Sequence, residues 1–356
     1  MHIPDGYLSP STCAMLTAGA VPFWVAAFRR VQRLFRTRTA PLLAVCAAFS
    51  FLLMLFNIPL PGGTTGHAVG MGICTIVLGP AASILALSAA LFIQALFFGD
   101  GGLLAFGANS FNMAIVGSLV AHGVYRIISG NTPAQAPRRI AAAAVAGYAG
   151  INAAAFCAAI EFGLQPTLFH DAAGLPLYAP YPLHIALPAM MLGHLTIAGA
   201  AEALVTGGIV AWLQRHHPSL LQPSRADGSI TTPNLRPIWA AVAGLLLLTP
   251  LGLIATGSAW GEWSADDFRR PEGRAAIAAA SGHALAPSHP PAGLEKLATF
   301  WTAPFPDYAP VWIKSAPLGY LLSAMTGSGA LIAIGLLAEW GWRRNRNPRS
   351  PIPPSS

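Results

Sequence analysis

The sequence predicts an all-α integral membrane protein: a helical bundle of about seven spans, then a two-span C-terminal domain carrying a long external segment. Three observations support this. Of 356 residues, 54% are hydrophobic and only 9% charged, against about a quarter charged in an ordinary soluble domain. The mean hydropathy is +0.56. The positive residues fall in short clusters between long apolar runs rather than along one face, which is a topology signal. The net charge of +7 therefore does not imply a nucleic-acid partner. Cys13, Cys46, Cys74 and Cys157 lie in apolar stretches without CxxC spacing, so they are expected to be small buried hydrophobes rather than a disulfide framework or a zinc ribbon.

A bilayer core about 30 Å thick needs roughly 20 helical residues. Apolar runs of that order, ended by Pro, Gly or charge, give nine candidates at 11–29, 40–59, 66–79, 81–98, 103–128, 139–164, 184–213, 237–257 and 317–341. The third is too short to cross comfortably and closes at Gly79-Pro80, the pattern of a broken or partly re-entrant segment that borders a binding site. Arginines cluster after the first span (Arg29, Arg30, Arg33, Arg36, Arg38), the fifth (Arg126, Arg138, Arg139), the seventh (Arg215, Arg225, Arg236) and the last (Arg343, Arg344, Arg346, Arg349). The remaining positive residues, Arg269, Arg270, Arg274, Lys296 and Lys314, share one hydrophilic segment. Nine crossings with this asymmetry place the N-terminus outside and the C-terminus in the cytoplasm of a multi-pass protein of the cell inner (plasma) membrane, with lipid as a partner.

The opening MHIPDGYLSP has no basic n-region and no small-residue cleavage site, so the mature chain is expected to begin at Met1. The domain organisation reads as a transmembrane domain at 1–215, a polar cytoplasmic linker at 216–236 and a two-span domain at 237–356. Trp260, Trp263, Trp301 and Trp312 in the external segment are expected to anchor at the membrane interface and to pack.

Two of the ten histidines stand out by context. His2 adjoins a terminal amine, and His67 lies in the external turn PGGTTGHAVG, whose glycines let backbone approach another segment closely. The Met1 amine, the His2 amide nitrogen and a His2 ring nitrogen close two adjacent small chelate rings on one metal, and His67 is the natural fourth donor. Four nitrogens in a plane suit Ni(II) or Cu(II) better than tetrahedral zinc, and the Irving–Williams order places nickel above cobalt. Nickel is the first expectation and cobalt the second. Binding requires a deprotonated amine and neutral imidazoles, so affinity should fall in acid.

MHIPDGYLSP, the loop GGTTGHAVG, the stretch QALFFGDGGLLAFGANSFNMA at 94–114 and HLTIAGAAEALVT at 194–206 resemble the CbiM/NikM family, the substrate-binding S-components of energy-coupling-factor (ECF) importers for cobalt and nickel. The resemblance covers about residues 1–215. It implies that the amino terminus folds back into the bundle, that Met1, His2 and His67 hold the metal, and that a separate transmembrane coupling subunit and ATP-hydrolysing subunits supply the work. The C-terminal part, with PAGLEKLA at 291–298 and PDYAPVW at 306–312, is similar to the small NikN-type accessory subunit. That family usually shows Pro-Asp-Gly-Leu-Glu. Here Ala292 replaces the Asp, so no metal binding is assigned to the motif.

Asp100, Asn109 and Asn112 either cap loops and bond between helices or form an outer shell that fixes the His67 loop. Ala40, Ala44 and Ala48 recur every four residues. The strip is similar to the alanine motif by which S-components dock on the coupling subunit, and ordinary intrachain packing explains it equally. Glu161, His194 and Glu202 lie within spans, where ionisable groups are costly and mark a paired or functional site. They supply the alternative reading, a self-sufficient proton-coupled secondary transporter. The only lysines, Lys296 and Lys314, follow Glu295 and Ile313 rather than the glycine of a Walker A loop. No ATP binding by this chain is expected. Without an HExxH or similar constellation, an intramembrane metalloenzyme is not expected either.

Overall fold

The structure, a computed structural model, describes residues 1–34, 39–221, 236–255 and 257–346. An irregular leader, residues 1–9, precedes helix α1 (Pro10–Leu34). Ser9 starts that helix. Its hydroxyl accepts the Thr12 N–H at 3.1 Å, and Pro10 takes the first helical position, where its missing N–H costs nothing. Helix α2 (Thr39–Met54) leads into a short hairpin of β1 (Ile58–Leu60) and β2 (Thr64–Gly66), paired antiparallel with Ile58 opposite Gly66.

Helix α3 (Met71–Leu78) has eight residues, about 12 Å at 1.5 Å each. It is therefore too short to span the bilayer core as helix alone, in keeping with the broken pattern of the third candidate. Gly79, at φ +77°, turns the chain into α4 (Pro80–Ile93), and the hydroxyls of Thr75, Ser83 and Ser118 link the stub to its neighbours in steps of 3.0 Å. Three π-helical segments interrupt the spans: Gln94–Phe98 after α4, Ser110–Gly117 between α5 (Phe106–Asn109) and α6 (Ser118–Ser129), and His194–Ala198 between α8 (Leu183–Gly193) and α9 (Gly199–His216). Such bulges occur frequently at functional sites.

The long α7 (Pro137–Leu168) is the hub of the bundle and packs on α6, α8 and α9. It does so through small residues: a Cβ on Gly147 would meet Thr206 Oγ1 at 2.7 Å. Close backbone approach of this kind is how helices associate in lipid.

The C-terminal part contributes α10 (Arg236–Leu248) with a 3₁₀ extension to Ile254, the short external helices α11 (Ala265–Arg269), α12 (Pro271–Ala280) and α13 (Ala292–Leu297), and α14 (Ala316–Arg346). Both α10 and α14 lie against α2. Six described helices are long and apolar enough to cross a membrane: Pro10–Gln32, Pro80–Phe98, Phe106–Ser129, Pro137–Leu168, Leu183–His216 and Ala316–Gly341. Two shorter apolar ones, Pro41–Met54 and Ile238–Ile254, join them. The chain is thus an all-α, multi-pass membrane protein.

Two expectations change. Ala44 and Ala48 are fully covered by the chain's own helices, so they form no open strip for another subunit, and the Ala40 side chain lies outside the described residues. Trp260 and Trp263 pack as buried side chains, with Phe162 against Trp260 and the two indoles against each other, rather than standing at an interface, while Trp301 and Trp312 of the same segment are exposed. Most of the linker, residues 222–235 with Arg225, lies outside the described residues, as do Arg36, Arg38 and Arg349.

Candidate metal site

The leader folds into the bundle because its polar backbone finds partners there. Ile3 exchanges two hydrogen bonds with the Asn109 side chain, at 2.8 and 3.0 Å, and its carbonyl also accepts the Gly102 N–H at 2.8 Å. Asp5 accepts the Leu103 and Ala105 N–H groups, each at 3.0 Å. The carboxyl sits where a side chain on Gly102 would be, since a Cβ there would lie 2.0 Å from Asp5 Oδ1. Tyr7 donates to the Trp263 carbonyl at 2.7 Å, and the Ser9 N–H reaches Gln165 Oε1 at 2.9 Å. These bonded groups thereby avoid the cost of being buried unpaired. Met1 and His2 are left 4% and 1% exposed.

The second strand ends at Gly66, and the next four residues carry His67 into the same region. A single carboxylate from α9 holds them there. Glu202, fully buried, accepts the N–H groups of Val69 at 2.7 Å, Gly70 at 2.8 Å and Gly72 at 3.2 Å. Its oxygens thereby also satisfy free N–H groups at the N-terminus of α3. Ser50 completes the clamp from α2 by donating to the Val69 carbonyl at 2.6 Å.

These two segments place Met1, His2 and His67 together. The His2 and His67 rings lie 5.1 Å apart between centroids, inclined by 35°. The Met1 nitrogen is ion-paired with Glu262 of the external segment at 3.3 Å. His2 Nδ1 faces Asp100 Oδ1 at 3.1 Å, while the buried His2 Nε2 has no hydrogen-bond partner among the described residues. His67 Nδ1 lies 3.2 Å from the Ala68 carbonyl, which directs its other nitrogen away from the backbone.

Both rings lie outside the membrane-crossing helices. Burial pushes the His2 imidazole down to about 4, against the pull of Glu262. Burial, helped by the charges of His2 and the terminal amine, pushes His67 to about 3. Both are neutral at physiological pH, which is the protonation state a metal requires. Burial raises the Glu262 carboxyl while the Met1 amine and His2 oppose it. Beside them opens a cavity of about 610 Å³ whose walls include His67, Asp100, Glu262 and Tyr308. Among the described residues, no three His, Cys, Asp or Glu side chains form a conventional metal cluster. The available donors are two imidazoles and main-chain nitrogens.

Of the outer residues expected from sequence, Asp100 and Asn109 surround the leader. Asn112 does not: its amide donates to Glu161 at 2.8 Å, away from the rings. Three contributors carried no signal in the sequence. Glu262 approaches Met1 from 261 residues away. Gln94, at the start of its π-helical segment, donates at 3.1 Å to both Asp100 Oδ2 and the Tyr308 hydroxyl. Tyr308 donates to Asp100 Oδ2 at 2.5 Å, and burial keeps its hydroxyl well above its ordinary pKa, hence protonated. The PDY stretch marked Tyr308's neighbourhood but not its reach.

Residues 2–220 match the family model of the cobalt uptake substrate-specific transmembrane region, CbiM, and residues 236–344 match the PDGLE domain. The fused nickel transport protein NikMN of Rhodobacter capsulatus is 56% identical over 95% of this chain and 97% of its own length. The cobalt transport protein CbiM of Geobacter sulfurreducens is 33% identical over 62% of this chain and 61% of its own. A crystal structure of a truncated transition metal transporter, 51% identical, superposes with a TM-score of 0.57 over 61% of this chain and all of its own. The chain belongs to the CbiM family of transition-metal transport proteins and carries a PDGLE domain in the same polypeptide.

Proposed function

We propose that the chain is the substrate-specific component of an ECF-type importer. It takes up Ni²⁺, or Co²⁺, from outside through the Met1 amine, the His2 amide and ring, and His67. A separate transmembrane coupling subunit and ATP-hydrolysing subunits then drive delivery to the cytoplasm, with the N-terminus outside and the C-terminus inside the cell membrane. The observation that carries this reading is the buried tip of the chain, whose amine and first imidazole lie beside a second neutral imidazole 65 residues away in sequence. The proposed donors are all nitrogen, with the Asp100 and Glu262 carboxylates beside them as outer partners, a set that favours nickel. The nickel named in the R. capsulatus relative points the same way.

Chelation by the Met1 and His2 nitrogens can use only Nδ1 of the His2 ring, because Nε2 lies too far round to close a six-membered chelate. In the structure Nδ1 faces Asp100 at 3.1 Å. Loading therefore turns the imidazole half-way about Cβ–Cγ, a soft torsion. The turn releases Nδ1 to the metal and brings the Nε2 edge to Asp100. The ring nitrogen that has no partner here then acquires the outer carboxylate that metal-ligating imidazoles require.

The polar span residues that a self-powered transporter would use are each engaged locally. Glu202 holds the His67 loop, Glu161 pairs with Asn112, and His194 Nδ1 lies 2.8 Å from the Met190 carbonyl of its own helix. This favours external coupling over a proton pathway within the chain. Nickel titration of the purified protein tests the assignment. His2→Ala and His67→Ala should each remove most binding, and His216→Ala, at the far end of α9, should leave it intact. Tight binding retained by either of the first two would refute the ligand set.

A further inference from the structure

All the proposed metal donors lie in the first 70 residues, yet two side chains from the C-terminal domain reach the tip that bears them. Glu262 pairs with the Met1 nitrogen. Tyr308 reaches His2 through an intermediary: its hydroxyl donates to Asp100 Oδ2 at 2.5 Å, and Asp100 Oδ1 faces His2 Nδ1 at 3.1 Å. Gln94 closes the chain sideways by donating to both Asp100 and Tyr308, so the carboxylate is held on one oxygen by two donors.

The backbone at Tyr308 adopts an unfavourable conformation. Asp307 and Tyr308 have φ +52° and +60°, a left-handed conformation that side-chain-bearing residues rarely adopt. The neighbourhood enforces it. Ser323 of α14 donates to the Tyr308 carbonyl at 2.9 Å. The ring stacks on Phe98 at 4.7 Å and meets Tyr320 edge-on at 5.5 Å, and the residue is only 8% exposed. An aromatic ring serving merely to dock one domain on the other would need neither the strained backbone nor a buried hydroxyl. Strain of this kind, where the surroundings fix a polar group on a particular partner, points to a functional role.

We infer that Tyr308 is a positioning residue for the metal site: by fixing the Asp100 carboxylate beside the His2 ring it holds in place the outer partner that the Nε2 edge meets once Nδ1 is turned to the metal, so the PDGLE domain completes a site whose donors all belong to the other domain. This rests on the ligand assignment proposed above, and the test separates the two. Tyr308→Phe keeps the ring and its stacking and removes only the hydroxyl. In the full chain with its native amino terminus, nickel titration should show affinity about 10–100-fold weaker, the usual cost of losing an outer partner of a metal-bound imidazole, with the melting temperature of the metal-free protein little changed. Asp100→Asn should weaken binding comparably. The double variant should be no worse than the weaker single one, because the two residues act through one hydrogen-bond chain.

Binding by Tyr308→Phe as tight as in the unaltered chain, or losses that simply add in the double variant, would overturn the inference. Should Tyr308→Phe fail to accumulate, 3-fluorotyrosine at position 308 preserves the fold. Its ¹⁹F resonance should then move on nickel addition in the unaltered chain and stay fixed in Asp100→Asn, and a resonance indifferent to nickel in both would be equally fatal. The His2→Ala control distinguishes the two readings. If it retains nickel, the ligand assignment itself has failed. If it loses nickel while Tyr308→Phe does not, only the positioning role has failed.

Discussion

At the scale of single residues, the site depends on burying groups that would ordinarily be protonated or solvated. His2 and His67 give up hydration to stay neutral beside each other, and this has a consequence for stability. In the unfolded chain an imidazole takes up a proton near pH 6.5. In the folded chain burial delays this to about pH 4 for His2 and about pH 3 for His67. Between those limits the unfolded state binds more protons, so the stability these residues permit is fully present above about pH 6.5 and declines as pH falls toward 4. Melting temperatures of the metal-free protein should therefore drop steadily between pH 7 and 4.5, and His67→Asn should flatten that slope; identical slopes would contradict the burial of a neutral ring. The two histidines were legible because their contexts are unusual, one next to a terminal amine and one in a glycine-rich turn. Glu262 was not legible, because nothing near Trp260 and Trp263 in sequence shows that the segment folds over Met1.

At the scale of elements, the His67 loop is an irregular stretch placed by a carboxylate from another helix. Sequence reasoning flagged Glu202 as costly within a span and left its purpose open. The explanation is a set of backbone N–H donors 130 to 133 residues away, a pairing that no local pattern encodes. Glu202→Ala would leave those donors unpaired, at about 1–3 kcal/mol for each buried group, and should both lower the melting temperature and abolish nickel binding. Glu202→Gln keeps an acceptor oxygen and should retain much of each. Equal melting curves for the alanine variant and the unaltered chain would show that the loop is held otherwise. The short α3 was legible in outline, since glycines and the Gly79-Pro80 break advertised a segment too short to cross. The alanine strip of α2 misled, because small residues mark a close helix contact without saying which helix makes it. Here the contacts lie within the chain.

At the scale of the whole molecule, the two parts of the chain are interlocked rather than merely tethered. The PAGLE segment opens α13, where the Gly293 N–H donates to the Leu177 carbonyl at 2.6 Å and leaves no room for a side chain, since a Cβ would meet the Tyr178 ring at 2.3 Å. The Phe305 N–H binds the Phe97 carbonyl, and Trp301 donates to that of Leu96. Membrane character, the two-part organisation and the family were all legible from hydropathy and motifs. The cross-domain architecture of the site was not, because it depends on which loops meet above the bundle. The proposal that the tip of the chain is itself a ligand is tested most directly by nickel titration of the protein beginning at Met1, against the same protein with two residues added before it. The extension turns the terminal amine into an amide and displaces His2, so tight binding should be lost. Equal affinity in the two proteins would contradict the claim.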